Sequence, residues 1–454
     1  MSPKNYALVV AVLTSFLTPF VGSSINIALP SIGGEFSATA ILLGWIPTAY
    51  LLSLAVCLVP FGRLADIYGR KRIFTYGIIL FTISSFLATM SISIEMLLLF
   101  RVLQGAGSAM IFGNLFAIIA SIFPATQRGK ALGITITGAF LGLFLGPVLG
   151  GFLTEYFGWR SIFFFNVPLG ILATIAVTRV EGEWAEASGK SFDIMGSIIL
   201  GFSLVTLMYG LSILPEILGF YLILAGLIGL FLFYLVEIRM ESPVFDVKIF
   251  KNRSFTLHNL AAFISYCSAA PIVFILSLYL QYIQGLDPQW AGIVLSVQPV
   301  MMTIFSPLAG KASDLIEPRK MAALGMLLNT IGCGIFAFLG GETSIIIIVI
   351  GLGFLGLGFA NFSSPNTNAI MSTVESHLYG VASTTVTTMR VLGQMSGMGV
   401  VLLVLVLFMG SSTINSQIYP EFITSTRISF AIFSVLSFIG VLVSLAGGNK
   451  DINA

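Results

Sequence analysis

The chain has 454 residues, of which 57% are hydrophobic and only 9% are charged, against about 25% charged in a soluble globular protein. A single water-soluble core stops growing at roughly 250–300 residues. This much apolar surface therefore excludes a soluble enzyme, a disordered chain and a disulfide scaffold, and it requires lipid as solvent. The net charge of +2 is too small to indicate a nucleic-acid partner.

A spanning helix needs about 20 apolar residues. Polar or turn-rich breaks divide the sequence into fourteen runs, near 6–31, 40–62, 73–91, 95–119, 130–153, 160–179, 193–213, 218–237, 254–282, 289–310, 321–339, 343–370, 378–410 and 425–446. The divisions at Pro215 and Gly340 are the faintest. The first run is too long for the core of a signal peptide and reads as a retained helix. The runs do not alternate strictly, so a membrane β-barrel does not fit. With the N-terminus cytoplasmic, seventeen basic residues fall in inside loops and two, Arg160 and Arg427, fall outside; Arg101 and Arg390 lie within runs. That bias predicts a multi-pass protein of the cell membrane with both termini cytoplasmic.

The motif Gly62-Arg-Leu-Ala-Asp66, followed by Arg70, Lys71 and Arg72, returns as Gly310-Lys-Ala-Ser-Asp314, followed by Arg319 and Lys320. The separation is eight spans rather than six. The predicted architecture is all-α: a six-helix bundle over 1–180, two inserted helices over 181–253 and a second six-helix bundle over 254–454. Parallel repeats of this kind occur in transporters whose halves rock about a central site.

At these motifs the sequence resembles the fourteen-helix drug:proton antiporters (multidrug efflux) of the major facilitator superfamily. The resemblance rests on Gly62–Arg72, on Arg101-Val-Leu-Gln104-Gly105-Ala-Gly107, on Gly142-Leu-Phe-Leu-Gly146-Pro147-Val-Leu-Gly150-Gly151, on Trp159-Arg160 through Gly170, and on Pro243–Asp246 with Phe250–Phe255. It implies a major facilitator fold and ion-coupled export. Two positions depart from the family pattern. Ile67 stands where the first motif usually has Arg, and Val21 stands where the first helix usually has an acid.

Gly62, Asp66, Gly69, Arg70 and Arg72 form a candidate gate latch, with Asp314 as its counterpart. A carboxylate there can accept charge-assisted bonds and cap a neighbouring helix; the alternative is a solvated loop that only sets topology. Gly138, Gly142, Gly146 and Gly150 recur every four residues and make a smooth stripe beside the bend expected at Pro147. That stripe suits sliding against a helix of the other half, and equally suits ordinary membrane packing. Arg101 and Arg390 are expensive inside a span and must face a cavity or a partner. The resemblance implies a proton-relay or gating role for Arg101.

Asn26, Gln104, Asn114, Gln298, Asn361 and Asn366 are candidate cavity polar groups, with Trp45, Tyr50, Tyr266 and Tyr279 as aromatic walls. Interhelical hydrogen bonding explains each polar residue, taken singly, at least as well. All 19 acids fall in loops or at helix ends, with Glu35 and Glu155 near the outer face. His258 could titrate near neutrality or sit as an interfacial residue. Cys57, Cys267 and Cys333 read as small hydrophobes, with no disulfide or metal site. No P-loop indicates ATP drive.

The reading is therefore a monomeric, non-enzymatic secondary exporter of small amphipathic compounds, working by alternating access and proton antiport, without a cofactor. Two buried arginines and no buried acid favour neutral or anionic substrates over dications. An uncoupled facilitator, or a sensor or channel that keeps the fold, remain the alternatives.

Overall fold

A computed structural model describes residues 3–185, 189, 192–240, 245, 247–313, 315–375, 379–410 and 412–447. Fifteen α-helices are present among them. The first six are α1 (Pro3–Phe36), α2 (Ala40–Tyr68), α3 (Arg70–Thr89), α4 (Ile94–Ile122), α5 (Ala125–Phe157) and α6 (Arg160–Thr178). There follow α7 (Ile194–Ser212), α8 (Ile217–Arg239), α9 (Arg253–Leu278), α10 (Pro288–Leu295), α11 (Val297–Ala312), α12 (Pro318–Phe336), α13 (Ile345–Ser372), α14 (Tyr379–Met409) and α15 (Tyr419–Ala446). Only Ser296 separates α10 from α11, which share one apolar stretch, Pro288–Ala312, so the fifteen helices make fourteen spanning segments. Thirteen of these are long and apolar enough to cross a bilayer. The fourteenth is α12, where Arg319, Lys320, Asn329 and Thr330 dilute the apolar surface. The faint divisions at Pro215 and Gly340 both fall between helices.

The chain forms two units: Met1–Gly210 with Glu216–Phe245 and Leu286–Ile293, and Leu211–Pro215 with Asp246–Gly285 and Val294–Ala454. In the first unit, small residues set the helix spacing. Gly105 brings α4 onto the Tyr50 carbonyl and Ser53 of α2, and Gly107 brings α4 onto Gly77 and Phe81 of α3. Without a hydrophobic force between helices in lipid, such close approach is what van der Waals cohesion requires. Thr39 and Ser93 cap α2 and α4 through their hydroxyl oxygens, which accept from Leu42 N and Met96 N. At the far end of α1, Arg160 grips the Glu35 carboxylate with two bonds of 2.8 and 2.7 Å, and Trp159 Nε1 donates to the same carboxylate at 2.7 Å.

The α7–α8 hairpin has a seam that the run lengths alone do not reveal. Gly196, Ser203 and Gly210 recur every seven residues along α7, as do Gly219 and Gly226 along α8. A Cβ on Gly210 would lie 2.9 Å from the Gly219 carbonyl, and one on Gly226 would lie 2.9 Å from that of Ser203. The hairpin rests on α2 through Trp45, whose ring centroid is 6.3 Å from that of Tyr209, and through Val56, which abuts Gly201. The outer side of α8 is apolar and exposed from Leu218 to Leu232, as a lipid-facing surface should be.

In the second unit, α9 is enclosed by α13, α14 and α15. Ala261, Ala262, Ile264, Ala322, Met326 and Phe362 form its core. Gly393 and Gly397 of α14 lie against the Phe263 and Cys267 carbonyls of α9. Two side-chain bonds to backbone close the end near α12: Tyr279 Oη donates to the Gly340 carbonyl and Arg427 Nε to the Leu339 carbonyl.

Candidate functional site

The loop motif is built as follows. α2 ends at Tyr68 and α3 begins at Arg70, so the chain turns on Gly69 alone, with φ +118°. An L side chain rarely adopts that backbone. Asp66 and Arg70 are four apart across this turn and form a tight pair, with Arg70 Nε donating to Asp66 Oδ1 at 2.8 Å. Asp66 is thus engaged with Arg70, and the group that serves the start of α3 is a different carboxylate. Glu183, from the segment after α6, accepts from Lys71 N at 2.8 Å, and Arg70 N donates to the Trp184 carbonyl at 2.8 Å. Lys71 Nζ donates to the Val180 carbonyl, and Arg72 Nε is 3.9 Å from Glu183 Oε2. A Cβ on Gly69 would fall 2.6 Å from Glu183 Cδ, so glycine is required there for space as well as for φ. A Cβ on Gly113 of α4 would lie 3.6 Å from Gly62 Cα, an ordinary contact distance.

Asp314 lies outside the described residues. Around it, Asn368 Nδ2 donates to Ser313 Oγ at 3.0 Å, and Glu317 pairs with Arg319 at 2.7 Å and Lys320 at 3.3 Å. These two cations hold the Glu317 carboxyl below its usual range.

Arg101 is wholly buried in α4, with only neutral partners among the described residues. Its guanidinium lies 4.4 Å from the centroid of the Tyr50 ring. Its Nε donates to the Ile46 carbonyl at 3.2 Å and its Nη1 to Gln104 Oε1, while Nη2 has no hydrogen-bond acceptor. Gln104 Nε2 donates in turn to Ser85 Oγ, and Tyr50 Oη to Ser108 Oγ, both at 2.8 Å. Three sequence candidates, Tyr50, Arg101 and Gln104, thereby meet in one network across α2, α3 and α4.

A second pair forms in the other unit. The Arg390 guanidinium lies 5.0 Å from the centroid of the Tyr266 ring, and Tyr266 meets Phe359 edge-on at 5.2 Å. Three of the remaining polar candidates bond within their own helix. Asn26, Asn114 and Asn361 each donate to the carbonyl four residues back in their own helix. Asn366 donates to the His258 carbonyl at 3.1 Å and ties α13 to α9. Gln298 is buried where α11 meets Gly356 of α13. Trp45 faces the inserted hairpin.

The glycine stripe of α5 packs on α1. Gly138 faces Ser15, Gly142 the Phe16 carbonyl, Gly146 Ser23 and Gly150 Ser24. Those small α1 residues are what make the close fit possible. The residues of α5 that meet the start of α10 are instead Pro147, whose carbonyl abuts Gly292, and Gly151, which lies against Pro288 and Gln289. Tyr156 Oη donates to Gln289 Oε1 at 3.2 Å beside them. The acids Asp193 and Glu237 keep to helix ends, as the sequence leads one to expect, but the expectation of no buried acid fails at both. Asp193 and Glu237 are both buried at one end of the α7–α8 hairpin, where Asp193 Oδ1 accepts from Gly196 N at 2.8 Å.

The family model described as Major Facilitator Superfamily matches residues 11–252 and 259–449. The chain belongs to the major facilitator superfamily. It is a multi-pass membrane protein and a secondary transporter of small molecules, not an enzyme. Riboflavin transporter RibZ of Clostridioides difficile (strain 630) is 32% identical over 391 residues, which is 86% of either chain. Multidrug resistance protein Stp of Mycobacterium tuberculosis is 29% identical, covering 83% of this chain and 71% of that one. Multidrug transporter protein MdtP of Bacillus subtilis is 27% identical, covering 86% and 73%. In fold, the chain is similar to the POT family transporter PepTSo, with a TM-score of 0.72 at 14% identity, over 98% of this chain and 97% of that one. The expected fold class and the multidrug-type kinship both hold.

Proposed function

We propose that this transporter exports small amphipathic compounds, neutral or anionic, from the cytoplasm by alternating access, in antiport with protons. The observation that carries the substrate preference is the Arg101 environment. A guanidinium sealed inside a span, with a ring face, an amide and a carbonyl as partners and one nitrogen without an acceptor, keeps an uncompensated positive charge at the site. Such a field favours electron-rich ligands and opposes dications. Relatives named for riboflavin and for multidrug resistance support a small, amphipathic cargo.

In this reading the Asp66–Arg70 pair and the Glu183 contact hold one conformation of the cytoplasmic latch. Pro147 and Gly151 of α5, against α10, supply the smooth contact that must shift. The protein works as a monomer in the cell membrane with both termini cytoplasmic. A second reading, an uncoupled facilitator, draws support from Val21, which is wholly buried at the position where the resemblance leads one to expect an acid.

One experiment tests both. Inside-out vesicles holding the protein are given an imposed pH gradient and a panel of a monoanionic dye, a dicationic dye and riboflavin. Gradient-driven uptake of the monoanion or of riboflavin supports the proposal. Preference for the dication refutes the charge argument, and uptake that ignores the gradient and moves no protons selects the facilitator.

A further inference from the structure

We infer that Arg390, propped by Tyr266 and Phe359, is a ligand-reading platform for planar aromatic compounds that carry an anionic or carbonyl oxygen. The inference rests on the exporter reading and narrows its substrate class. Arg390 lies in the interior of α14, Tyr266 near the middle of α9 and Phe359 near the middle of α13. Three different helices of one unit thus meet well inside the membrane.

The Arg390 side chain is exposed, and among the described residues it makes neither an ion pair nor a hydrogen bond. An exposed guanidinium at this depth either faces lipid, at a cost of at least ~2.5 kcal/mol, or faces water. The lipid-facing side of α8 is apolar, whereas the exposed residues Ser383 and Thr384 about two turns before Arg390 on α14 are polar, so the water-filled side is the one that fits. Tyr266 and Phe359 are both buried, so their rings are not themselves the ligand's contact. The edge of one ring braces the other at 5.2 Å, and the Arg390 guanidinium carbon lies over the Tyr266 ring, 5.0 Å from its centroid.

A guanidinium held in this way keeps one planar face and a fork of N–H donors free. That is a matched surface for a stacked aromatic ring whose edge oxygen accepts the donors. Tyr266 acts as a positioning residue and Arg390 as the group that touches the ligand. A lysine cannot reproduce the site, because an ammonium has no plane to stack.

The test is equilibrium dialysis of the full chain in phosphatidylcholine nanodiscs, with empty nanodiscs subtracted. The three probes share one ring and differ in charge: 2-naphthoate, 2-naphthylmethanol and 2-naphthylmethylammonium. The expected order is naphthoate, then alcohol, then ammonium, with about ten-fold between the extremes, as for one charge-assisted bond. Arg390→Gln should abolish the order. Arg390→Lys should keep the charge ranking and weaken naphthoate several-fold. Tyr266→Leu should weaken naphthoate and the alcohol while leaving the protein folded, as read by its melting temperature.

Equal binding of the three probes, or an order unchanged in both Arg390 variants, overturns the inference. Should Arg390→Gln fail to fold, naphthoate binding at the parent strength in both the lysine and the Tyr266 variants overturns it instead. Binding needs no gradient, so the two readings fail separately. A probe order without vesicle transport sinks the exporter and keeps the platform; transport without a probe order does the reverse.

Discussion

If the α2–α3 turn is the latch proposed above, removing the Glu183 carboxylate should loosen it by an amount that can be worked from its contacts. Gly69, which precedes α3, offers no side-chain cap, so Glu183 Oε1 on Lys71 N at 2.8 Å takes that role from a distant segment. Losing such a cap costs about 1 kcal/mol, within a range of roughly 0.5–2. The Arg72 partner at 3.9 Å is 70% exposed and adds little, since a screened pair of this kind contributes about 0–0.5 kcal/mol. Glu183→Ala should therefore shift the open-to-closed ratio of the latch by about five-fold, because 1.4 kcal/mol is about ten-fold. Glu183→Gln retains a neutral acceptor and should give about half of that energy.

The readout is the rate at which an impermeant maleimide reacts with a cysteine placed at Ala185, beside the contact, in a Cys57→Ser background. The rate is measured in inside-out vesicles, with and without each Glu183 change. An alanine variant that labels at the parent rate would refute the assignment of Glu183 to the latch. So would a glutamine variant that labels as fast as alanine, because it would mean that charge rather than capping governs the segment.

Gly142→Val should be among the most damaging single changes in α5. Its side chain would run into the Phe16 carbonyl and the Phe20 amide of α1, which are backbone and cannot yield. Overpacking there should cost about 3 kcal/mol, seen as loss of a monodisperse peak and of the melting transition, whereas Gly133→Ala, with open space around it, should leave both unchanged. Glu35→Gln should cost about 1 kcal/mol, because it replaces a two-bond grip on Arg160 with a weaker one at a partly exposed site. A melting temperature equal to that of the parent would show that the Arg160 contact contributes nothing net.

The helix count was legible because lipid thickness sets a minimum length for every span, and charged or turn residues mark all the breaks except the faint ones at Pro215 and Gly340. Even α12, with its polar residues, was found from its flanking turns. The Asp66–Arg70 pair was also legible, since a spacing of four puts two residues on one helical face. Glu183 was not. It reaches α3 from more than a hundred residues away along a linker without periodicity, and nothing local marks its target. The α5 stripe gave the right contact type and left its partner open, because small residues declare that something comes close and not which helix it is. The single asparagines are ambiguous for a related reason: an amide inside a span bonds to its own helix when no neighbour offers a better acceptor. Asn366 and Gln104 bridge helices only because α9 and α3 happen to present an oxygen at the right depth.

The seam between α7 and α8 bears on how the chain is put into the bilayer. Taken alone, each of these helices carries a notch at Gly196, Ser203 and Gly210 or at Gly219 and Gly226 that acyl chains fill poorly, and each gains by finding the other. The turn between them is only four residues long, 213–216, so the partner arrives as soon as it is synthesised. The two helices thus settle as one body before the last six spans exist, and everything made later folds beside a finished object.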